Sequence, residues 1–238
     1  MTSNKLKIIA CVSMALDHIG FVLFPTITVF RYIGRLALPI FAFFIAEGCL
    51  HTRSKLKYFL QMFSLALFCQ IFYIAEELMT GRISRIYLNV LFTFCLSIIV
   101  SVTYISLVNA FKTGQKKKTA LCFLAFLGSV ALTVFCCTAL SKIFGVKITV
   151  DYGIVGALLP LWAVIFTDKK KRLISFGLGT IIYCLGHAAT QPYVWFSLLA
   201  LPLIALYNGE RGSKKLKWVF YLFYPLHFAV IYGISLLK

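Results

Sequence analysis

The feature that most constrains this chain is a series of apolar runs, each close to 20 residues long, separated by short polar breaks. About 20 apolar residues in a helix cross the ~30 Å hydrocarbon layer of a bilayer. Lipid offers no hydrogen-bond partners, so a chain made of such runs satisfies its backbone groups within helices. The pattern predicts an all-α polytopic membrane protein.

The charged residues support this class and exclude others. They make up 13% of the 238 residues, whereas soluble domains carry roughly 25%. The net charge of +17 could suggest a nucleic-acid ligand, but the basic residues fall in short clusters between apolar runs, which membrane topology explains better. We therefore expect no nucleic-acid partner. The eight cysteines form no CxxC pair, so we also expect neither a disulfide framework nor a metal site.

About nine membrane spans, within a range of eight to ten, are predicted from the apolar runs. The candidate spans are 5–24, 31–50, 58–78, 88–111, 119–144, 152–167, 173–187, 193–208 and 218–237. With a cytoplasmic N-terminus, 17 of the 24 basic residues face the cytoplasm, which places the C-terminus outside. The outer arginines Arg31, Arg82 and Arg85 are interpreted as anchors at the membrane interface. No stretch is long or polar enough for a soluble domain, so 1–238 is expected to form one integral membrane domain.

Two histidines, from the first and last spans, are predicted to lie at the same depth near the bilayer midplane. A charged side chain there costs at least ~2.5 kcal/mol, so such residues need a local reason. His18 lies 11 residues beyond Lys7, which is ~16 Å from the inner face at 1.5 Å per residue. His227 lies ten residues beyond Lys217, at ~15 Å. The two side chains should therefore reach the same depth.

Arg35 and Glu47 interrupt the second span at different depths. Depths in this span are counted back from Arg53 at the inner face. Arg35 then lies at ~27 Å, near the outer edge, and Glu47 at ~9 Å, so the two cannot pair with each other. Glu47 can pair with His51 one turn later. Pro39 removes a backbone donor within this span and is predicted to kink it.

Several of these polar residues also have an ordinary structural interpretation. Asp17 and His18 could cross-link helices, and Asp151 could cap the start of the sixth span. Asn208 precedes a glycine that ends a helix. From the residues alone, a membrane enzyme and a proton-coupled transporter or non-catalytic scaffold are both open, because buried histidines and aspartates also serve in proton relays.

Six sequence blocks resemble the TraX family, which is named for an F-pilin N-acetylase of conjugative plasmids. In chain order they are MALDHIG, RYIGRLALPIFAFFIAEGCLHTR, NVLFTF, DYGIVG, LLALPLIALYNGERG and FYLFYPLHF. The blocks extend from end to end of the chain. The family is similar to a wider group of membrane acyltransferases that includes the acyltransferase-3 enzymes and heparan-α-glucosaminide N-acetyltransferase.

The resemblance implies a multi-pass protein of the bacterial cell membrane that transfers acetyl groups from cytoplasmic acetyl-CoA. The acceptor would be a peptide, a pilin or a glycan, and membrane lipids would surround the protein. His18 would be the catalytic base, with Asp17 orienting or charging it. The remaining residues that match family blocks are expected to bind substrate, with Arg35 on the outer, acceptor side and Glu47 on the cytoplasmic, donor side. They are Arg35, Glu47, Asn89, Asp151, Asn208 and His227.

Overall fold

The computed structural model describes residues 1–79, 85–213, 216–235 and 237. Arg82, Lys214, Lys215 and Lys238, which entered the topology prediction, lie outside these ranges. The chain divides into two compact units. The first comprises Met1–Phe44 and Asp168–Lys238, and the second comprises Ile45–Thr167.

The described residues are mostly helical, with two short strands. In chain order the elements are α1 Ser3–Val22, α2 Val29–Gly34, α3 Ala37–His51, α4 Lys55–Met79, β1 Arg85–Leu88, α5 Val90–Lys112, α6 Lys116–Thr138, α7 Leu140–Phe144, β2 Lys147–Val150, α8 Gly153–Trp162, α9 Lys169–His187, a 3₁₀ helix Pro192–Leu199, α10 Ala200–Ala205 and α11 Leu216–Ser235.

Helical structure occurs within each of the nine predicted spans, which confirms the helical class. Four segments of the described chain are long and apolar enough to cross a membrane: Val29–His51, Lys55–Ala75, Val90–Lys112 and Lys116–Thr138. The span count of nine and the orientation of the termini stay predictions.

In the first unit, α1 packs against both α2 and α11. Two glycines allow α1 and α2 to approach closely. A Cβ added to Gly20 would lie 2.5 Å from Cβ of Phe30, and one added to Gly34 would lie 2.6 Å from Cγ of Asp17. Both distances are shorter than carbon atoms tolerate, so a larger residue at either position would push the helices apart.

The helix of the second span is interrupted one turn before Pro39, the residue that is predicted to kink it. The helix is interrupted at Arg35 and Leu36, between the end of α2 and the start of α3. A proline cannot donate to the carbonyl four residues earlier, and its ring crowds that carbonyl. For Pro39 that residue is Arg35. The interruption therefore falls at Arg35, whose backbone carbonyl cannot accept a hydrogen bond from Pro39.

In the second unit, α5 packs against α4, α6 and α8. The two strands pair in parallel, with Arg85 opposite Lys147 and Leu88 opposite Val150. This ribbon was not predicted from the sequence. After β2 the chain turns sharply into α8 through Tyr152, whose φ of 58° is in the left-handed region.

Candidate active site at a hydrogen-bonded histidine pair

His18 of α1 and His227 of α11 form a hydrogen-bonded pair in the first unit. Nε2 of His227 lies 3.1 Å from Nδ1 of His18. Nδ1 of His227 lies 2.9 Å from the backbone carbonyl oxygen of Phe223. His227 is buried, with 8% of its surface exposed. The contact between the two rings agrees with the prediction that His18 and His227 lie at one depth.

These contacts determine the tautomers of the neutral pair. A carbonyl oxygen can only accept a hydrogen bond, so Nδ1 of His227 carries its proton and donates it to Phe223. Nε2 of His227 then has a lone pair and accepts from Nδ1–H of His18. It follows that Nε2 of His18 is unprotonated and carries a lone pair. A neutral imidazole with a free Nε2 lone pair can act as a proton acceptor.

Aromatic rings surround the pair. The ring of Phe228 lies 4.4 Å from His18 and 4.7 Å from His227, centroid to centroid. Phe223 stacks on His227 at 5.1 Å, and Tyr224 meets it edge-on at 5.5 Å. An apolar surrounding of this kind lowers the local dielectric and strengthens the hydrogen bond between the two imidazoles.

The carboxylate of Asp17 is held by two arginines. Nη2 of Arg35 donates to both carboxylate oxygens, at 2.6 and 2.7 Å. Nη1 of Arg31 lies 2.9 Å from Oδ2 and also donates to the Asp17 carbonyl oxygen at 3.3 Å. Nη1 of Arg35 donates to Oε1 of Gln191 at 2.9 Å. The missing side chain of Gly34 makes room for this carboxylate.

The Asp17 carboxylate pairs with two arginines. Both of its oxygens face Arg31 and Arg35, whereas His18 hydrogen-bonds to His227. Adjacent helical residues point ~100° apart, so Asp17 need not contact the ring next to it. That Asp17 orients or charges His18, and that Arg35 serves the acceptor side, stay predictions.

Sequence reasoning also missed three residues of the site. Arg31 was interpreted as an interface anchor, yet it pairs with Asp17. Its spacing of four residues from Arg35 places both on one helix face, and that signal was available. No motif or spacing in the sequence indicated that Gln191 and Tyr193 lie at this site. The centre of the Tyr193 ring lies 5.3 Å from the Arg35 guanidinium carbon and 5.6 Å from that of Arg31.

Glu47 lies in the second unit and makes the predicted contact with His51. Nε2 of His51 is 3.6 Å from Oε2 of Glu47, one turn apart on α3. Glu47 is buried and the His51 side chain is 75% exposed. This confirms the pairing, whereas the prediction that Glu47 binds the donor stays a prediction.

Asn89 has a framework role in the second unit. It is fully buried, and its side-chain oxygen accepts from the backbone N–H of Leu91, which caps α5. Its Nδ2 donates to the carbonyl oxygen of Ala66 and to Oε1 of Gln70, both at 3.0 Å. These bonds join α4 to the start of α5, so we assign Asn89 to the framework.

Asp151 and Asn208 also contact neighbouring protein groups. The carboxylate of Asp151 accepts from the Tyr87 hydroxyl at 2.5 Å, and its backbone N–H donates to the carbonyl oxygen of Leu88. Asp151 therefore extends the strand ribbon. Asn208 is exposed in the loop after α10, where its Nδ2 donates to Oε2 of Glu210 at 2.8 Å and its backbone N–H to the Met1 carbonyl.

Comparison with known proteins gives one family and two relatives. The family model described as TraX protein matches residues 2–235. A probable fimbrial assembly protein FimC, serogroup H1, of Dichelobacter nodosus is 27% identical over 95% of this chain and 93% of its own length. An uncharacterized protein, RP591, of Rickettsia prowazekii is 49% identical over 17% of this chain and 16% of its own. No solved structure matches the chain significantly.

Proposed function

This chain belongs to the TraX family, and on that basis we propose that it is a membrane-embedded acetyltransferase. The proposed reaction moves an acetyl group from cytoplasmic acetyl-CoA to an amine or a hydroxyl group at or across the membrane. The observation that carries the proposal is the hydrogen-bonded His18–His227 pair, in which Nε2 of His18 is unprotonated and can act as a base. A relation to the wider acyltransferase-3 group is part of the same proposal.

The acceptor is a peptide or pilin N-terminus, or a glycan. Support for the peptide comes from the relative named as a probable fimbrial assembly protein, which aligns with nearly the whole chain. The family's association with pilin acetylation points the same way. An N-terminal amine and a sugar hydroxyl need the same type of catalyst, a general base, since each must lose a proton as it attacks an acyl carbon.

In the proposed step, Nε2 of His18 removes the proton of the acceptor amine or hydroxyl while the acceptor atom attacks the thioester carbonyl. The new bond to the acetyl carbon forms as the carbon–sulfur bond breaks, and the departing thiolate takes the proton from His18. The products are the acetylated acceptor and free CoA. A positioned general base of this kind contributes roughly 10²–10⁴-fold to the rate.

His227 supports this step as a positioning residue. When His18 is protonated, its Nδ1–H bond to Nε2 of His227 becomes charge-assisted, and such bonds are roughly twice as strong as neutral ones. The bond from His227 to the Phe223 carbonyl keeps the acceptor nitrogen facing His18. Asp17 balances part of the positive charge of Arg31 and Arg35, which would otherwise disfavour an imidazolium beside them.

Acetyl transfer in membrane vesicles tests the proposal. Inverted vesicles that contain the protein are incubated with radiolabelled acetyl-CoA, and label is measured in peptide and glycan fractions. We expect incorporation with the native protein and none above background with His18→Ala at equal expression. A matched control is His187→Ala, because that histidine makes the same type of bond to the carbonyl four residues earlier, 3.1 Å to Tyr183. Equal incorporation by His18→Ala and the native protein would refute the mechanism.

Proton-coupled transport is the second candidate, favoured by one observation. Two hydrogen-bonded histidines within helices could pass a proton between them, as in membrane proton relays. In proteoliposomes with an imposed pH gradient, a transporter would take up solute and lose that uptake in the Asp17→Asn variant. The acetyltransferase proposal predicts no gradient-dependent uptake, and predicts turnover of acetyl-CoA without any gradient.

A further inference from the structure

One edge of the Arg31 guanidinium makes no hydrogen bond to any residue in the described part of the chain. Both recorded contacts, to Oδ2 and to the carbonyl oxygen of Asp17, use Nη1. Nε and Nη2 make no hydrogen bond within the part of the chain that the structure describes. These two nitrogens form the edge of a guanidinium that binds two oxygens in parallel, as in arginine–carboxylate and arginine–phosphate pairs.

The surroundings of that edge disfavour leaving it unfilled. Only 18% of the Arg31 side chain is exposed, so water reaches a small part of the guanidinium, and a charged donor with few acceptors is costly. The guanidinium carbon lies 5.1 Å from the centre of the Phe21 ring and 5.6 Å from that of Tyr193. Aromatic rings beside a guanidinium fix its plane without using its N–H groups, which keeps the edge oriented for a ligand.

The charge of the cluster favours an anionic ligand. Asp17 supplies a single carboxylate to two guanidiniums, and the shorter contacts go to Arg35. Arg31 is thus the less neutralised of the two. An added oxyanion would share its charge with Arg31 and leave the Asp17–Arg35 contact in place.

We propose that the Nε–Nη2 edge of Arg31, beside Phe21 and Tyr193, is a binding subsite for an oxyanion with two available oxygens, a carboxylate or a phosphate group. The group comes from a soluble acceptor molecule or from a lipid headgroup. The subsite adds to the proposed acetyl transfer and does not rest on it, because binding needs neither acetyl-CoA nor turnover.

Thermal protection of the purified full-length protein in lipid-free, non-ionic detergent tests the subsite. Unfolding is followed by the reactivity of buried cysteines, among them Cys11 and Cys184. The probes are acetate, methyl phosphate and phosphatidylglycerol, each compared with chloride at the same ionic strength. A ligand that binds only the folded state raises the unfolding midpoint as its concentration increases. We expect acetate or methyl phosphate to do so if the source is soluble, and phosphatidylglycerol alone if it is a headgroup.

Variants of Arg31 make the assignment specific. Arg31→Gln should require at least about tenfold more probe for the same protection, since a hydrogen bond to a charged group is worth that much or more. Arg31→Lys keeps the charge but lacks the two-nitrogen edge, so it should also weaken protection, and it serves as well if Arg31→Gln folds poorly. The exposed Arg53 provides a control, Arg53→Gln, expected to bind like the native protein. Equal protection in the native protein and both Arg31 variants, or no protection by any probe beyond that of chloride, would overturn the proposal.

Discussion

Replacement of Asp17 by asparagine should destabilise the first unit strongly. The native carboxylate accepts from Arg35 at 2.6 and 2.7 Å and from Arg31 at 2.9 Å. Asparagine has nearly the same shape but no charge, so the substitution removes the negative charge that both guanidiniums contact. The side chain of Arg35 is only 4% exposed and cannot reach water.

The magnitude follows from this burial. Removing one partner of a buried ion pair costs ~3–5 kcal/mol. Arg31 is partly exposed and can turn toward water, so we expect the lower end, about 3 kcal/mol. For chains of 150–250 residues this corresponds to a decrease of ~6–12 °C in the thermal midpoint. The midpoint can be read from the rate at which a thiol-reactive dye labels the buried Cys11 and Cys184.

A control and a double mutant separate charge from shape. Asp168→Asn makes the same chemical change at an exposed helix cap in the same unit, and it should alter stability little because asparagine caps as well as aspartate. Combining Asp17→Asn with Arg35→Met should cost less than the sum of the two single changes, by at least about 1 kcal/mol. If Asp17→Asn were no more destabilising than Asp168→Asn, the ion cluster would not stabilise the fold as argued.

Three further substitutions test the site and its framework. His227→Gln should slow acetyl transfer about tenfold to 100-fold without weakening acetyl-CoA binding, because a hydrogen bond to a charged ring is worth ~1.5–3 kcal/mol; an equal loss of donor affinity would contradict a positioning role. Gly34→Ala should lower the free energy of unfolding by ~1–3 kcal/mol, whereas Gly128→Ala, where an added Cβ meets nothing within 4 Å, should not lower it. Asn89→Ala should cost ~2 kcal/mol by removing the α5 cap and leaving buried partners unpaired, while the exposed Asn208→Ala should change stability by less than ~0.5 kcal/mol. The free energies of unfolding of the two glycine variants, and those of the two asparagine variants, are compared by chemical denaturation under identical conditions.

The sequence predicted that His18 and His227 lie at one depth because depth along a helix is a local quantity. Each residue adds 1.5 Å, so His18 and His227 could be placed at one level from their distances to Lys7 and Lys217. Pro39 was informative for a similar reason, since its missing donor affects a carbonyl at a fixed spacing. Both predictions needed only the geometry of a single helix.

Depth did not predict which side chains face each other. Arg35 was placed near the outer edge from its Cα position, yet its long side chain reaches the Asp17 carboxylate. The rotation of α1 about its axis decides that Asp17 faces α2 while His18 faces α11, and that rotation is set by packing between helices. Gly34 was the one local sign of a close approach at this point.

The strand ribbon was missed because its pairing is not local. Residues 85–88 and 147–150 are short and lie on either side of α5, α6 and α7. Parallel strands need a long connection, so neither segment shows a hairpin signal. The ribbon explains why Asp151 bonds to Tyr87, which motif matching alone could not distinguish from substrate binding.

The rate constant of acetyl transfer from acetyl-CoA in a single turnover tests the central claim most directly. It is measured on purified protein in nanodiscs with an N-terminal peptide amine or a glycan as acceptor, for the native protein and for His18→Gln, which retains a polar side chain but has no imidazole. A decrease of about 10²–10⁴-fold, with acetyl-CoA binding unchanged, is the result the account predicts for loss of a general base. A rate constant within a factor of about two of the native value would show that His18 is not the base, and the proposed mechanism would be wrong.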